Sequence, residues 1–381
     1  MLIYYIVFTL SIALLVIGEK LENKNKYVSI CIKMLAIYIP ALLAGMRSIN
    51  IGTDTKLYIE PAFNDAINAP DFFTFYKMYD IEFLYMLFTF IMAKIFQNVN
   101  IFMTVLYFIT TFLAYKIASD NKEKAPMPIT YAFFLLLYYN KSLNLVRQTI
   151  AILLIIYGLK YVRDKKHINC IITILIAFLI HKTSIIGLPI YLIYMIFNKK
   201  NTKYYKIAIF SMCILFLIIY KPLLNYLIND LHLLNSRYNY YICSNKVDIS
   251  LSYILFNIFL MSVILFYNKK LIAYDKYNEY LIFITVLGNV LMLLSIKFNF
   301  VIRISYYFTY VYILIIPEIV NLFNDKNKNM CIILMIIMLT AYNYIYYGFQ
   351  KNDQTSPYTS IFEGETIENE EISEYNNSII Q

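Results

Sequence analysis

Run after run of this chain is apolar over a length close to that needed to cross a bilayer. "YVSICIKMLAIYIPALLAG" (27–45), "SLSYILFNIFLMSVILFY" (250–267) and "MCIILMIIMLTAYNYIYY" (330–347) are three of them. A crossing helix needs about 20 mostly apolar residues, and a soluble domain has no core large enough to hide so many. Composition agrees: the chain is 60% hydrophobic with a mean hydropathy of +0.60, against about 45–50% apolar residues in soluble domains. The runs do not alternate in segments of about 10 residues, as barrel strands would. The sequence therefore predicts an all-α, polytopic membrane helical bundle. The first run, "LIYYIVFTLSIALLVIG", has neither a basic leader nor a small-residue cleavage site and is expected to be a retained span.

Apolar segments lie near 2–18, 27–45, 81–96, 99–118, 127–141, 145–162, 168–181, 184–197, 204–220, 250–267, 279–296, 302–322 and 330–347. The net charge of +9 does not point to nucleic acid, because the lysines gather in short loops between these runs. Basic loops face the cytoplasm, which places "EKLENKNK" (19–26), "RDKKH" (163–167), "NKKNTK" (198–203), 268–278 and "NDKNKN" (324–329) inside. Strict alternation then leaves one segment too many between the outer loop 46–80 and the outer start of the run at 145. Either 81–96 or 127–141 must fail to cross, and Lys116 beside "SDNKEKAP" favours 81–96. The expectation is about 12 transmembrane helices plus one short interfacial or re-entrant segment. Residues 1–347 form a single transmembrane domain, its outer loop 46–80 carrying interfacial helices. Residues 348–381 form an acidic outer tail, largely disordered, chiefly beyond Phe362.

This topology puts Arg47, Asp54, Arg147, His181 and Arg303 at one face. Basic residues at outer ends are unusual and call for a reason. In "GTDTKLY", Gly52 permits a tight turn, Asp54 can cap the helix that begins there, and Tyr58 lies one helical turn on from Asp54. Ile59, Ala62, Phe63, Ala66 and Ile67 then make one apolar helical stripe. Each polar residue also has an ordinary structural role open to it. Asp54 can be only a cap, Arg147 and Arg303 can reach along the span to the interface, and His181 can simply satisfy a turn. His167, His181 and His232 are not spaced as metal ligands, and the five cysteines form no framework. No phosphate-binding glycine loop and no serine nucleophile elbow occurs. No metal and no cofactor is expected.

The pieces "RSINIGTDTKLY" (47–58), "LVRQTIA" (145–151), "FLIHKTS" (178–184), "FVIRISYYF" (300–308) and "SPY" (356–358), in this order, make the chain resemble the EpsG family of bacterial exopolysaccharide polymerases, related to the Wzy-type O-antigen polymerases. The family's Ser-Ala after the histidine stands here as Thr183-Ser184-Ile185, and 204–298 offers little to match. The resemblance implies a fold similar to glycosyltransferase superfamily C. It also implies a polymerase that joins polyprenyl-diphosphate-linked oligosaccharide units at the outer face of the bacterial cytoplasmic membrane, without metal or nucleotide. Its partners would be that substrate, membrane lipid and other polysaccharide assembly and export proteins. On this expectation Asp54 or His181 is the base, and Arg47, Arg147, Arg303 and Tyr58 hold the diphosphate and sugar. A flippase-like transporter, or a glycan ligase or modifying transferase, is the alternative. A transporter would show internal repeats and polar residues near mid-membrane, and no clear repeat is present.

Overall fold

The structure, a computed structural model, describes residues 1–197, 211, 219, 222, 225–226, 249–296 and 299–362. The run expected at 204–220, most of the loop 221–249 and the tail from 363 onward lie outside the described residues. The described residues are helical, with one isolated β-bridge between Arg47 and Ser360. In order come α1 (Leu2–Leu21), α2 (Lys26–Gly45), a π-helical turn (Thr55–Ile59) running into α3 (Glu60–Asn68), α4 (Phe72–Lys77), α5 (Phe83–Phe96) and α6 (Val99–Asp120). Next are α7 (Met127–Phe134), which passes through a π turn (Leu135–Tyr139) into α8 (Asn140–Ser142), then α9 (Val146–Arg163), α10 (His167–Ile180), a 3₁₀ turn (Lys182–Ile186) and α11 (Gly187–Phe197). After the gap come α12 (Leu251–Phe266), α13 (Asn268–Tyr274), α14 (Asn278–Leu294), α15 (Asn299–Thr309), α16 (Tyr312–Glu318) and α17 (Asp325–Asn343), the last ending in a π turn (Tyr344–Phe349).

Local sequence sets many of these boundaries. Asn25, Asn98 and Asn324 each accept backbone N–H bonds at the start of α2, α6 and α17, the usual work of an N-cap side chain. Pro61 sits in the first turn of α3, directly after the π-helical turn, where the regular helical hydrogen bonding is already broken. The stripe read from the sequence is the buried face of α3: Ile59, Ala62, Phe63 and Ala66 are enclosed, and Phe63 stacks on Phe102 of α6 at 5.1 Å between ring centroids. On the outside of the bundle Leu2, Ile168, Leu251, Leu255, Ile333, Leu334 and Ile337 are well exposed. Such a belt of bare aliphatic side chains suits lipid rather than water.

Among the described residues, five helical stretches can cross a membrane by length and apolarity: Leu2–Leu21, Lys26–Gly45, Val99–Asp120, Val301–Leu322 and Asp325–Phe349. A sixth is added if α12 and α13, bent by 61°, are one span. The twelve crossings expected are not all seen as long unbroken helices among the described residues, for a physical reason. α10, α11 and α14 are apolar but shorter than 18 residues, and α9 carries Arg147, Lys160 and Arg163. Turns break several of the apolar runs, so fewer unbroken helices reach the length of a full crossing.

The loops sort into two ends. At one, Glu22 pairs with Lys33 at 2.7 Å and with Lys122 at 3.2 Å, Lys160 pairs with Asp120 at 2.5 Å, and Lys124 meets Asp275. Of these, 19–26 and 268–278 are loops that the charge rule assigned together, and the 119–126 segment that joins them is the one that leaned inside through Lys116. At the other end, Asp54, Glu82, Val146, Lys182 and Asp353 meet one another's neighbourhoods. α5 begins and finishes at this second end. Glu82 before it contacts Arg147, while Lys94 near its finish donates to Ile67 O at 2.8 Å and Ala69 O at 2.7 Å. Asn100, just beyond it, donates to Gly45 O at 2.9 Å. At 14 residues α5 is roughly 21 Å long, against roughly 30 Å of bilayer hydrocarbon. Both of its ends contact segments of this second end.

The segment after the last helix belongs to the tail expected to be disordered chiefly beyond Phe362. Residues up to 362 are folded against the bundle as a strap. Tyr4 Oη donates to Thr355 O at 2.8 Å, Tyr358 Oη to Leu43 O at 2.9 Å, and the Ser48 amide to Thr359 O at 2.9 Å. Backbone hydrogen bonding to the opening loop and buried tyrosines hold it, and neither is visible in an acidic composition.

Candidate active site

The site is built where the loop after α2 meets the break between α8 and α9. Gly52 makes this possible. Its φ is +81°, and a Cβ there would stand 2.3 Å from Leu143 O, so only glycine lets the loop lie on that backbone. Asn144 then fastens the pair. Its Oδ1 accepts from the Thr53 amide at 2.6 Å, and its Nδ2 donates to Asp353 O at 2.5 Å. Three segments remote in sequence are thereby joined through one amide side chain.

Asp54 does not cap its own helix. Its Oδ2 accepts from Tyr58 Oη at 2.7 Å and from the Val146 amide at 3.1 Å. Val146 is the first residue of α9, whose own preceding residue, Leu145, supplies no side-chain cap. The carboxylate thus sits at a foreign helix N-terminus, where the peptide dipoles favour negative charge. Burial pushes its carboxyl above the ordinary carboxylate range. The Tyr58 hydroxyl, the charge of Arg147 and the Val146 amide pull in the opposite direction. A carboxyl so balanced is closer to neutral pH than a solvated aspartate, which is the condition for a proton acceptor.

Arg147 lies in the first turn of α9 with its guanidinium 4.5 Å from the Tyr58 ring centroid and 5.4 Å from that of Tyr85. Its Nη1 donates to Glu82 Oε2. Glu82 is buried and also accepts from the Lys182 amide at 2.9 Å, with His181 Nδ1 at 3.5 Å. Burial alone would raise its carboxyl. His181 and Arg147 overcome that and hold it down to about 2. Burial lowers the His181 imidazole, against the opposing pull of Glu82. Both ring nitrogens of His181 are buried without a hydrogen-bond partner among the described residues. A continuous polar chain results: Asp54, Tyr58, Arg147, Glu82, His181.

A cavity of about 400 Å³ opens beside this chain. Asp54, Arg303, Lys141, Asn144, Tyr306 and Asp353 are among the polar residues that line it. Arg303 projects from α15, is exposed, and forms no ion pair among the described residues, while its carbonyl accepts from Gln148 Nε2 at 2.8 Å. Of the six residues singled out from the sequence, Asp54 and Arg303 line the cavity. Tyr58 and Arg147 stand behind Asp54, and His181 lies at the far end of the polar chain. Arg47 is set apart. It is wholly buried, with Nε on Ile51 O at 3.1 Å, Nη1 on Ala44 O at 2.9 Å and Nη2 on Thr55 Oγ1 at 2.8 Å, its guanidinium 4.7 Å from the Tyr107 ring centroid. These donors are spent on shaping the loop, so the expectation that Arg47 joins the other arginines in the cavity does not match its geometry.

Sequence reasoning missed Glu82, Lys141, Asn144 and Asp353. Glu82 is a carboxylate at the head of an apolar run, where an unpaired charge is costly, and that was the available signal. Lys141 gave the same signal at the foot of another. Nothing in the sequence marks Asn144 or Asp353.

Fold and site together define a polytopic helical membrane protein with a charged cavity at one end of the bundle. The EpsG family model matches residues 30–360, and the chain belongs to the EpsG family. The match begins within α2 and runs to the strap, so it spans every segment that builds the cavity. Comparison with curated proteins gave no match. Comparison with solved structures gave none either. Membership in this family suggests a polysaccharide-polymerase type of function, acting on lipid-linked saccharide in a membrane.

Proposed function

We propose that the protein is a polysaccharide polymerase that joins polyprenyl-diphosphate-linked oligosaccharide units at the outer face of a bacterial cytoplasmic membrane. The observation that carries this reading is Asp54 and Arg303 facing one cavity of about 400 Å³. Asp54 takes the proton from an acceptor sugar hydroxyl as that oxygen bonds to the anomeric carbon of the donor. The anomeric carbon's bond to the diphosphate oxygen breaks, and the lipid diphosphate departs with the electron pair. Arg303 faces the negative charge that grows on it, a role suited to a planar fork of donors. Tyr58 orients Asp54 through its 2.7 Å hydrogen bond. The Arg147–Glu82 pair sets the field behind Asp54, and His181 is the second base candidate at the end of the same chain. Arg47 holds the loop that carries Asp54. Twelve crossings with both ends outside, and a fold like glycosyltransferase superfamily C, complete the proposal.

The clustering of charge at one end of the bundle favours this reading over a transporter, whose polar residues would gather near the middle. The test is glycan analysis of cells lacking the protein. Wild-type protein should restore long polymer, and Asp54→Asn should leave single lipid-linked units to accumulate. Asparagine still accepts from Val146 and Tyr58, so the fold is kept while the base is lost. Normal polymer with Asp54→Asn would remove Asp54 from the chemistry and leave His181 as the base to examine.

A further inference from the structure

The proposed reaction leaves two cavity charges, Lys141 and Asp353, without a role. Lys141, at the foot of the run that α7 begins, is 5% exposed and lines the cavity beside Arg303. Its Nζ stands 5.0 Å from the ring centroid of Tyr306, 5.2 Å from Tyr253 and 5.4 Å from Tyr346. The hydroxyls of Tyr306 and Tyr346 lie 3.3 and 3.5 Å from it. A cage of aromatic faces is a general device for keeping a cation charged away from water. Its counter-ion is Asp353, at 3.3 Å.

Asp353 reaches Lys141 from the strap by an uncommon backbone path. Lys351, Asp353 and Gln354 have φ of 52°, 61° and 49°, the left-handed region that side-chain-bearing residues avoid. Strain of this kind persists where the surroundings impose it, and it gathers at functional sites. The Asp353 Oδ2 atom is buried and has no hydrogen-bond partner among the described residues, so its hold on Lys141 is an ion pair alone. The cavity charges also have to balance. Lys141 and Arg303 are positive, while Asp54 and Asp353 are negative, so the four cancel. A diphosphate carrying about two negative charges meets a neutral site unless one carboxylate withdraws. Asp54 is fixed by Tyr58 and by the head of α9, whereas Asp353 rides on strained backbone.

We infer that Lys141 and Arg303 together form the anion subsite of the cavity, taking a diphosphate, and that Asp353 is the resident counter-ion the diphosphate displaces from Lys141. The identity of the anion rests on the polymerase reading above; the subsite itself rests on the caged lysine, the strained strap and the charge balance. Arg303 supplies the fork and Lys141 the point charge. Release of Asp353 relaxes the strap backbone, which offsets part of the cost of breaking the pair.

The test uses the full-length protein in detergent with inorganic diphosphate, and with a short prenyl diphosphate, as probes at fixed salt. Asp353→Asn should tighten diphosphate binding about tenfold and Lys141→Gln should weaken it about tenfold, the scale of one close charge pair. In the double variant the gain from Asp353→Asn should vanish, because the two residues act as a unit. In the wild-type protein, adding diphosphate should speed amide exchange across 351–355, a readout that stands even if Lys141→Gln does not fold. Unchanged or weaker binding by Asp353→Asn, or unchanged exchange across the strap, would overturn the inference and make the pair a strut that pins the strap. None of these readouts needs polymer. A protein that binds diphosphate in this way yet builds no glycan would sink the polymerase reading and leave the subsite standing.

Discussion

Glu82→Gln tests the buried half of the site. The substitution keeps shape and hydrogen-bonding atoms but removes the charge that faces Arg147, leaving that guanidinium between Tyr58 and Tyr85 without its hydrogen-bonded counter-ion. Two routes give the size of the effect. Breaking a buried ion pair from one side costs about 3–5 kcal/mol. The Glu82 carboxyl is held at about 2 against an ordinary 4.5, which at about 1.36 kcal/mol per pH unit corresponds to about 3 kcal/mol. The carboxylate's side chain is 9% exposed, so solvent screening takes little from this figure. Folding lowers the pKa, so the contribution is complete above 4.5 and is lost as pH falls towards about 2. Chemical unfolding in detergent micelles, followed by circular dichroism, should show Glu82→Gln less stable by about 3 kcal/mol at about pH 7. The difference should shrink as the pH falls below 4.5, and the two proteins should converge only at about pH 2 and below. A difference under about 0.5 kcal/mol at neutral pH, or one that does not shrink in acid, would refute the pairing as the source of stability.

Gly52→Ala should cost more than about 1 kcal/mol in the same unfolding assay, because the methyl meets Leu143 O and the backbone is held at positive φ; full stability would mean that the loop does not lie on that backbone. Arg303→Lys keeps the charge and loses the fork, so polymer yield should drop about tenfold or more with normal membrane insertion; unchanged polymer would assign Arg303 to the interface alone. A phosphatase fused after Gln381 should be active and a cytoplasm-dependent reporter there silent; the reverse would move the cavity to the inner face.

The features legible in the sequence were mostly local or periodic. The apolar runs gave the helices within a few residues, since helix length and lipid exposure write themselves along the chain. The charge pattern grouped 19–26 with 268–278, and both meet the 119–126 segment through Glu22–Lys122 and Asp275–Lys124. Gly52 and the Asp54–Tyr58 spacing gave the turn and its hydrogen bond. The partner of Arg147 was not legible, because Glu82 is 65 residues away and tertiary packing, α5 on α10 and α10 on α9, brings them together. Arg47 misled for a related reason. An arginine at an outer span end looks available, and nothing local says that Ala44, Ile51 and Thr55 consume its donors. The strap was hidden because acidic composition dominates the end of the chain, whereas Thr355, Tyr358 and Thr359 determine where the chain goes before that acidic run.

The most direct measurement is chain growth by the purified protein in lipid vesicles, supplied only with polyprenyl-diphosphate-linked repeat units. Wild-type protein should lengthen the glycan and release polyprenyl diphosphate, and Asp54→Asn should slow this by about 10²-fold or more, the scale of a lost general base. Growth by Asp54→Asn at the wild-type rate, or no growth by wild type with its units supplied on the cavity side, would contradict the account.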